Sequence, residues 1–246
     1  MTFFNKVRPD PAASSPQGQG PPGKIHAVTA AVGAGAPSAA TGLAPKVGRL
    51  SNGLKEFLWH LDGIGHGHLL DIGPARQSTI TFFIERGFKV YTEDFLATWK
   101  IFLDEDVQWA KSLPVGTGLG DRTPGTRAER FLNTTLLYPV DTFDAVLLWD
   151  ILDYLDSDLM ARLAARLTSL VRDGGVVFAI FHQKKPEAFH RYRVLDAQNL
   201  ELIPAPCPFQ PQRVFQNREI SNLFCRYRSS KMFVGRDQLR EGMFVK

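Results

Sequence analysis

The chain has 246 residues, of which 44% are hydrophobic and 22% charged, with a formal net charge of +4. This is an ordinary composition for a soluble globular protein, excludes low-complexity and fibrous classes, and leaves enough length to bury a sizeable core in one large domain or two small ones. No run approaches the roughly 20 apolar residues needed to span a bilayer, so no membrane partner is expected.

Two cysteines, Cys207 and Cys225, are too few for a disulfide framework and lack metal-ligand spacing. The N-terminus, MTFFNKVRPDPAASSPQ, has no continuous apolar stretch of the secretory type. A reducing, cytoplasmic setting is the expectation. Lys184, Lys185, Arg191, Arg193, Arg213, Arg218, Arg226, Arg228 and Lys231 make the last quarter basic. A solvated basic face accounts for this; a nucleic-acid partner is compatible with the charge, but no RNA-binding signature supports one.

In chain order, residues 1–46 are read as a disordered tail, because from Asp10 to Pro45 the Pro, Ala, Gly and Ser side chains offer little surface to offset the entropy of ordering. The folded domain is expected over 47–246. Ser51 can cap a helix with Leu54, Phe57, Leu58 and Leu61 on one face. His60, His66 and His68 are close in sequence but fall on different elements without a supporting Cys or carboxylate, so no metal is expected.

Leu69 and Leu70 then end an apolar run at Asp71, with Gly73 close behind. A helix follows, with Ser78 as cap and Ile80, Phe83 and Ile84 on one face, and Gly87 suits its stop. Phe88, Val90 and Tyr91 lead a second strand to the acids Glu93 and Asp94. This strand, turn, helix, strand and acid order suits a nucleotide: ligands bind beyond the carboxyl ends of parallel strands, and an acid after the second can hold ribose hydroxyls.

Residues 95–113 read as a helix with Phe95, Trp99, Phe102 and Leu103 inward. Gly116, Gly118 and Gly120 have G-x-G-x-G spacing, but no strand precedes them and no helix follows, so a loop is expected rather than a phosphate cradle. Residues 130–137 read as a short third strand. Phe143, Ala145, Val146, Leu147 and Leu148 form the near-continuous apolar run of a central parallel strand, ending in Trp149 and Asp150, with Asp153 and Tyr154 just beyond. Ser157 caps a helix carrying Leu159, Met160, Leu163, Leu167 and Leu170 that stops at Asp173, Gly174 and Gly175, and Val176 to His182 form a fifth strand. Residues 183–212 are read as an inserted hairpin or cap, with Phe189, His190, Tyr192 and Arg193 as candidate substrate contacts. Asn217 caps a helix with Ile220, Leu223 and Phe224 inward. SSKMFVG and LREGMFVK close the chain as paired strands.

Two stretches, HLLDIGPARQSTITFFIERGFKVYTEDF and DTFDAVLLWDILDYLDSDLM, resemble the first two motifs and the post-strand-four motif of class I S-adenosylmethionine-dependent methyltransferases. Asp71 and Gly73 match the acid and first glycine; Ala75 and Gln77 stand where the family has glycines. The resemblance covers most of the chain from about Leu50 onward. It implies a Rossmann-like α/β fold with a mostly parallel seven-stranded sheet, helices on both faces and a terminal antiparallel hairpin. It further implies S-adenosylmethionine as cofactor, contacted by Asp71, Gly73, Ala75, Glu93 and Asp94 in the first half and by Thr135, Trp149 and Asp150 in the second.

Methyl transfer from a sulfonium leans on alignment and needs a base only when the nucleophile must lose a proton. Asp150, Tyr154 and His182 are the candidate catalytic residues; the acceptor is left open. Two other readings stand beside this one. The first is a non-catalytic methyltransferase-like module that binds a partner protein or RNA, suggested by Ala75, Gln77 and Thr135. The second is a dinucleotide-dependent dehydrogenase, against which GPARQS lacks the G-x-G-x-x-G spacing.

Overall fold

A computed structural model of the chain describes residues 48–112, 114 and 123–246. The expected tail, 1–46, and the G-x-G-x-G loop at 116–120 lie outside the described residues. Among the described residues no helix is long and apolar enough to cross a membrane.

The main sheet grows from β2 (Gly67–Asp71), β3 (Phe88–Thr92), β4 (Phe143–Trp149) and β5 (Val171–His182), all parallel, and is completed by β8 (Ser229–Val234) and β9 (Leu239–Val245). Its order is β3-β2-β4-β5-β9-β8, with β9 antiparallel to both β5 and β8. Successive side chains of a strand point to opposite faces, and the core follows that rule. Leu69, Ala145, Leu147, Phe178 and Ile180 face α1 (Asn52–Leu61) and α2 (Gln77–Ile84). Leu70, Val146, Leu148, Val177 and Phe181 face α3 (Phe95–Ser112), α4 (Pro124–Leu132), α5 (Ser157–Leu170) and α6 (Asn217–Leu223). Because both faces are covered, all seven residues of β4 are buried, which explains the unbroken apolar run.

The sheet has six strands where seven were expected, because residues 130–137 are not a strand. Arg130 to Leu132 complete α4 and the rest is turn. Thr123 caps that helix through the Thr126 N–H, Pro124 opens it, and Ala128 and Phe131, three apart, are its buried residues. Phe131 packs between Phe95, Trp99 and Phe102 of α3, so helical spacing outweighed the β-branched threonines that followed.

The inserted hairpin is present as β6 (His190–Val194) and β7 (Asn199–Pro204), turned at Asp196, whose carboxylate accepts the Gln198 and Asn199 N–H groups at 2.8 and 2.9 Å. It belongs to a separate antiparallel sheet, β1-β7-β6, with β1 (Arg49–Leu50) on its edge.

Ser51 caps α1 as expected, accepting the Leu54 N–H at 2.9 Å. The other three caps differ by one or two residues. Arg76 precedes α2 without a side-chain cap, so Ser78 lies inside the helix. Asp156 caps α5 in place of Ser157, and Gln216 forms a capping box with Glu219 in place of Asn217. On α2 the buried residues are Thr79, Phe82 and Phe83, while Ile84 is 56% exposed. The face is rotated because Thr79 meets the small sheet, its hydroxyl accepting the Val194 N–H at 3.1 Å.

Leu147, fully buried in β4, reports on the packing between sheet and α1. Leu147→Ala is expected to cost about 2–5 kcal/mol, read as a lower urea midpoint with an unchanged slope.

Candidate functional site

The chain leaves β2 for β3 on one side and returns through α3 and α4 to β4 on the other. Helices on opposite faces diverge at such a reversal and open a crevice beyond the carboxyl ends of the strands. A cavity of about 290 Å³ occupies it, at the lower bound of the roughly 300–1,000 Å³ of small-ligand sites. Ile72, Gly73 and Pro74 after β2, Asp94, Leu96 and Ala97 after β3, and Trp149, Asp150 and Ile151 after β4 form three sides. Phe189 to Tyr192 and Pro206 to Pro208 of the cap close the fourth.

Asp71 does not line this cavity. It is 2% exposed, and its carboxylate takes the Trp149 indole N–H at 2.6 Å and the Gly73 backbone N–H. Burial pushes its pKa up to about 7, against those two bonds, which lower it. Trp149 reaches it by adopting φ +52°, a left-handed conformation that a bulky residue takes only when its surroundings enforce it. The enforcing partners are Asp71 on one side and Tyr192 on the other, whose ring stacks on the indole at 5.5 Å with an interplanar angle of 3°. A Cβ on Gly73 would stand 3.0 Å from the indole, so any larger residue there would have to push the indole back by a few tenths of an ångström.

The two acids after β3 separate. Asp94 lines the cavity while capping α3 through the Ala97 N–H at 3.3 Å. Glu93 faces away from it and accepts the Tyr138 hydroxyl proton at 2.6 Å, and it shares a shallow surface depression with Thr135. Burial and that Glu93 bond raise the Tyr138 pKa, so the phenol remains the donor. Thr135 therefore lies outside the cavity, as do Ala75 and Gln77, which are exposed, and Arg76. Of the expected cofactor contacts, the structure brings Gly73, Asp94, Trp149 and Asp150 together and places Asp71, Ala75, Glu93 and Thr135 elsewhere.

Of the candidate catalytic residues Asp150 lines the same cavity, while His182 lines a neighbouring one and Tyr154 is buried behind the wall. Asp150 is 1% exposed and accepts the Tyr192 hydroxyl at 3.1 Å. The short 3₁₀ turn Ile151–Tyr154 after β4 brings Asp153 under His182, at the end of β5, where one carboxylate oxygen accepts the His182 backbone N–H at 2.9 Å and meets ring Nδ1 at 2.7 Å. The other ring nitrogen stands 3.8 Å from Asp150. The Tyr154 hydroxyl is buried without a hydrogen-bond partner, and its ring packs edge-on against Phe189 at 5.1 Å. Phe189, His190 and Tyr192 line the cavity as expected of the cap, whereas Arg193 turns to an ion pair with Glu201. Reading the residues missed Lys100, Ile101, Arg191 and Cys207 on its wall; the i, i+4 spacing of Ala97 and Ile101 on α3 was the available signal for one of them.

No family model matches the chain, and no curated protein matches it. Among solved structures, the chain is similar to the Burkholderia thailandensis 1,6-didemethyltoxoflavin-N1-methyltransferase, solved with 1,6-didemethyltoxoflavin and S-adenosylhomocysteine bound: 18% identity, 79% of this chain and 76% of that one, TM-score 0.42. It is also similar to an S-adenosylmethionine-dependent methyltransferase from Mesorhizobium loti, at 14% identity over 78% and 96% of the two chains with a TM-score of 0.44. A third, from Methanosarcina mazei, gives 13%, 74% and 93%, with a TM-score of 0.41.

Asp71 has a titration consequence. With its pKa at about 7 in the fold against about 3.9 in an unfolded chain, the folded state holds a proton that the unfolded state has released. Stability therefore falls as pH rises through that window. Asp71→Asn retains an oxygen for both donors and cannot ionise. Urea melts at pH 5.5 and pH 8 are expected to show a smaller loss for the variant than for the wild type; equal losses would mean that Asp71 does not titrate in this range.

Proposed function

We propose that the chain transfers a methyl group from S-adenosylmethionine to an acceptor that meets the donor beneath the cap. The observation that carries this reading is the cavity at the strand-order reversal, with the Asp94 carboxylate, the Gly73–Pro74 backbone and Asp150 on its walls. The residues present suit the donor. Asp94 follows the second parallel strand, where an acid can hold two ribose hydroxyls. Ile72, Leu96, Ala97 and Ile101 supply apolar surface for a flat heteroaromatic base. When bound, the sulfonium donor supplies an electrophilic methyl group.

The protein's part is alignment and exclusion of water. The Trp149–Tyr192 stack and the Asp71 clasp hold the cavity's inner wall in one geometry. In this reading Asp71 is a positioning residue, fixing Gly73 and Trp149 instead of touching the ligand. The cap segment Phe189 to Tyr192 gives the acceptor its contact surface.

Methionine-containing donor or its homocysteine product at about 100 times the dissociation constant is expected to add about 2.7 kcal/mol of stability, seen as a rise in melting temperature. Absence of a shift with either compound would favour the non-catalytic binding module. Asp94→Ala removes charge-assisted bonds of about 1.5–3 kcal/mol and is expected to weaken calorimetric binding by roughly one to two orders of magnitude. An unchanged affinity would remove Asp94 from the site.

A further inference from the structure

A second cavity, of about 370 Å³, lies on the other side of the cap. His182, Lys184, Lys185, Glu187 and Asp237 stand on its walls, and His190 lines both cavities. His190 thus stands between them, with Asp150 on the wall of the first cavity and His182 on the wall of the second. Their nearest atoms, Asp150 Oδ2 and His182 Nε2, are 3.8 Å apart, a gap that must shorten by roughly 1 Å to reach hydrogen-bonding range. Asp153 holds the far side of the imidazole through Nδ1 at 2.7 Å; in the tautomer with the proton on Nδ1, Nε2 is the acceptor.

We propose that Asp150, His182 and Asp153 are a proton relay from the first cavity to the second, and that the methyl acceptor is a hydroxyl or an N–H amine, a nucleophile that must give up a proton. The inference rests on the methyl-transfer reading. As the acceptor's heteroatom forms its bond to the methyl carbon, the bond from that carbon to sulfur breaks and its electron pair stays on sulfur. The heteroatom's proton passes to the Asp150 carboxylate and from it to His182 Nε2, giving an imidazolium whose charge Asp153 balances, and the imidazolium returns to neutral by releasing that proton to solvent in the second cavity, which His182 lines. A thioether acceptor has no proton to lose and would leave three buried ionisable groups without a task.

The surroundings suit the exchange. Burial pushes the Asp150 pKa up to about 7, with His182 opposing and Asp153 adding to the rise. Burial alone would lower His182, but the Asp153 hydrogen bond and the charges of both aspartates raise it. Tyr192 and His190 face the pair from β6. Arg240 of β9, which also bonds Asn217 at 2.6 Å, donates to the His182 carbonyl at 3.5 Å. Lys184, Lys185, Glu187 and Asp237 ring the exit.

The test uses the full chain. Methyl-labelled S-adenosylmethionine is offered with a set of phenols and primary amines and, separately, a set of thioethers, and donor affinity is measured by calorimetry. Transfer is expected to the first set only. His182→Gln, which leaves the first cavity's walls intact, is expected to keep the donor's dissociation constant within about threefold while losing roughly 10²–10⁴ in turnover. Transfer to thioethers, no transfer to the first set with donor bound, or undiminished turnover in His182→Gln would overturn the relay. Failure of the wild type to bind donor overturns the methyl-transfer reading itself. The pair is then still decided by imidazole NMR without donor: Asp150→Asn is expected to lower the His182 midpoint, and an unmoved midpoint sinks the coupling.

Discussion

Placing β2 between two parallel partners is the constraint from which the rest follows. Its five residues pair in register with β3 on one edge, and three of them, Leu69 to Asp71, pair with β4 on the other, so neither edge is left open. Right-handed crossovers to strands on opposite sides must run over opposite faces of the sheet. This is why α2 joins α1 on one face while α3 and α4 pack on the other. The crevice is what remains where they part, and Gly73, Asp94 and Asp150 are there because each is among the first residues to leave its strand.

Charge burial distinguishes this end of the sheet from the opposite one. At the start of β4, buried Asp144 has a cation: Arg172 is 2.9 Å away, and the His68 backbone N–H adds a bond at 2.7 Å. Such a pair ties strands together and is chemically inert. Asp71 and Asp150 are as deeply buried, yet their short contacts are neutral donors, the Trp149 indole and the Tyr192 hydroxyl. A carboxyl desolvated without a cation keeps its proton to higher pH. Of the two, Asp150 lines the cavity while Asp71 lies behind its wall.

The cap owes its position to bonds scattered along the chain. Arg49, in the edge strand β1, is paired with Asp237 and Glu241, and burial, which opposes its charge, is outweighed by those two acids. Glu241 also accepts the Gly53 N–H at 2.6 Å, where a Cβ would stand 2.7 Å from the Glu241 side chain. With Thr79 bonded to Val194, the small sheet is fastened to α1, α2 and β9. A wall so held keeps its place over the ends of the parallel strands, which an unattached hairpin could not.

The parallel strands, the helices with continuous apolar faces and the closing antiparallel pair were legible because each is a local pattern: period two, period 3.6, or a buried run between turns. So were the positions of Asp71, Glu93, Asp94 and Asp150 at strand ends, since these need only the strand to be recognised; which of the four would line the cavity was not legible. Where two local patterns competed, at 130–137, the packing of Phe131 on α3 decided for helix. The face of α2 was likewise settled by the small sheet and not by its own spacing. The clasp of Asp71 by Trp149, 78 residues away, the Asp150–Tyr192 bond across 42, and the placing of His182 over Asp153 across 29 were matters for the tertiary structure alone. Periodicity records which side of an element is buried, but not which distant side chain it will be buried against.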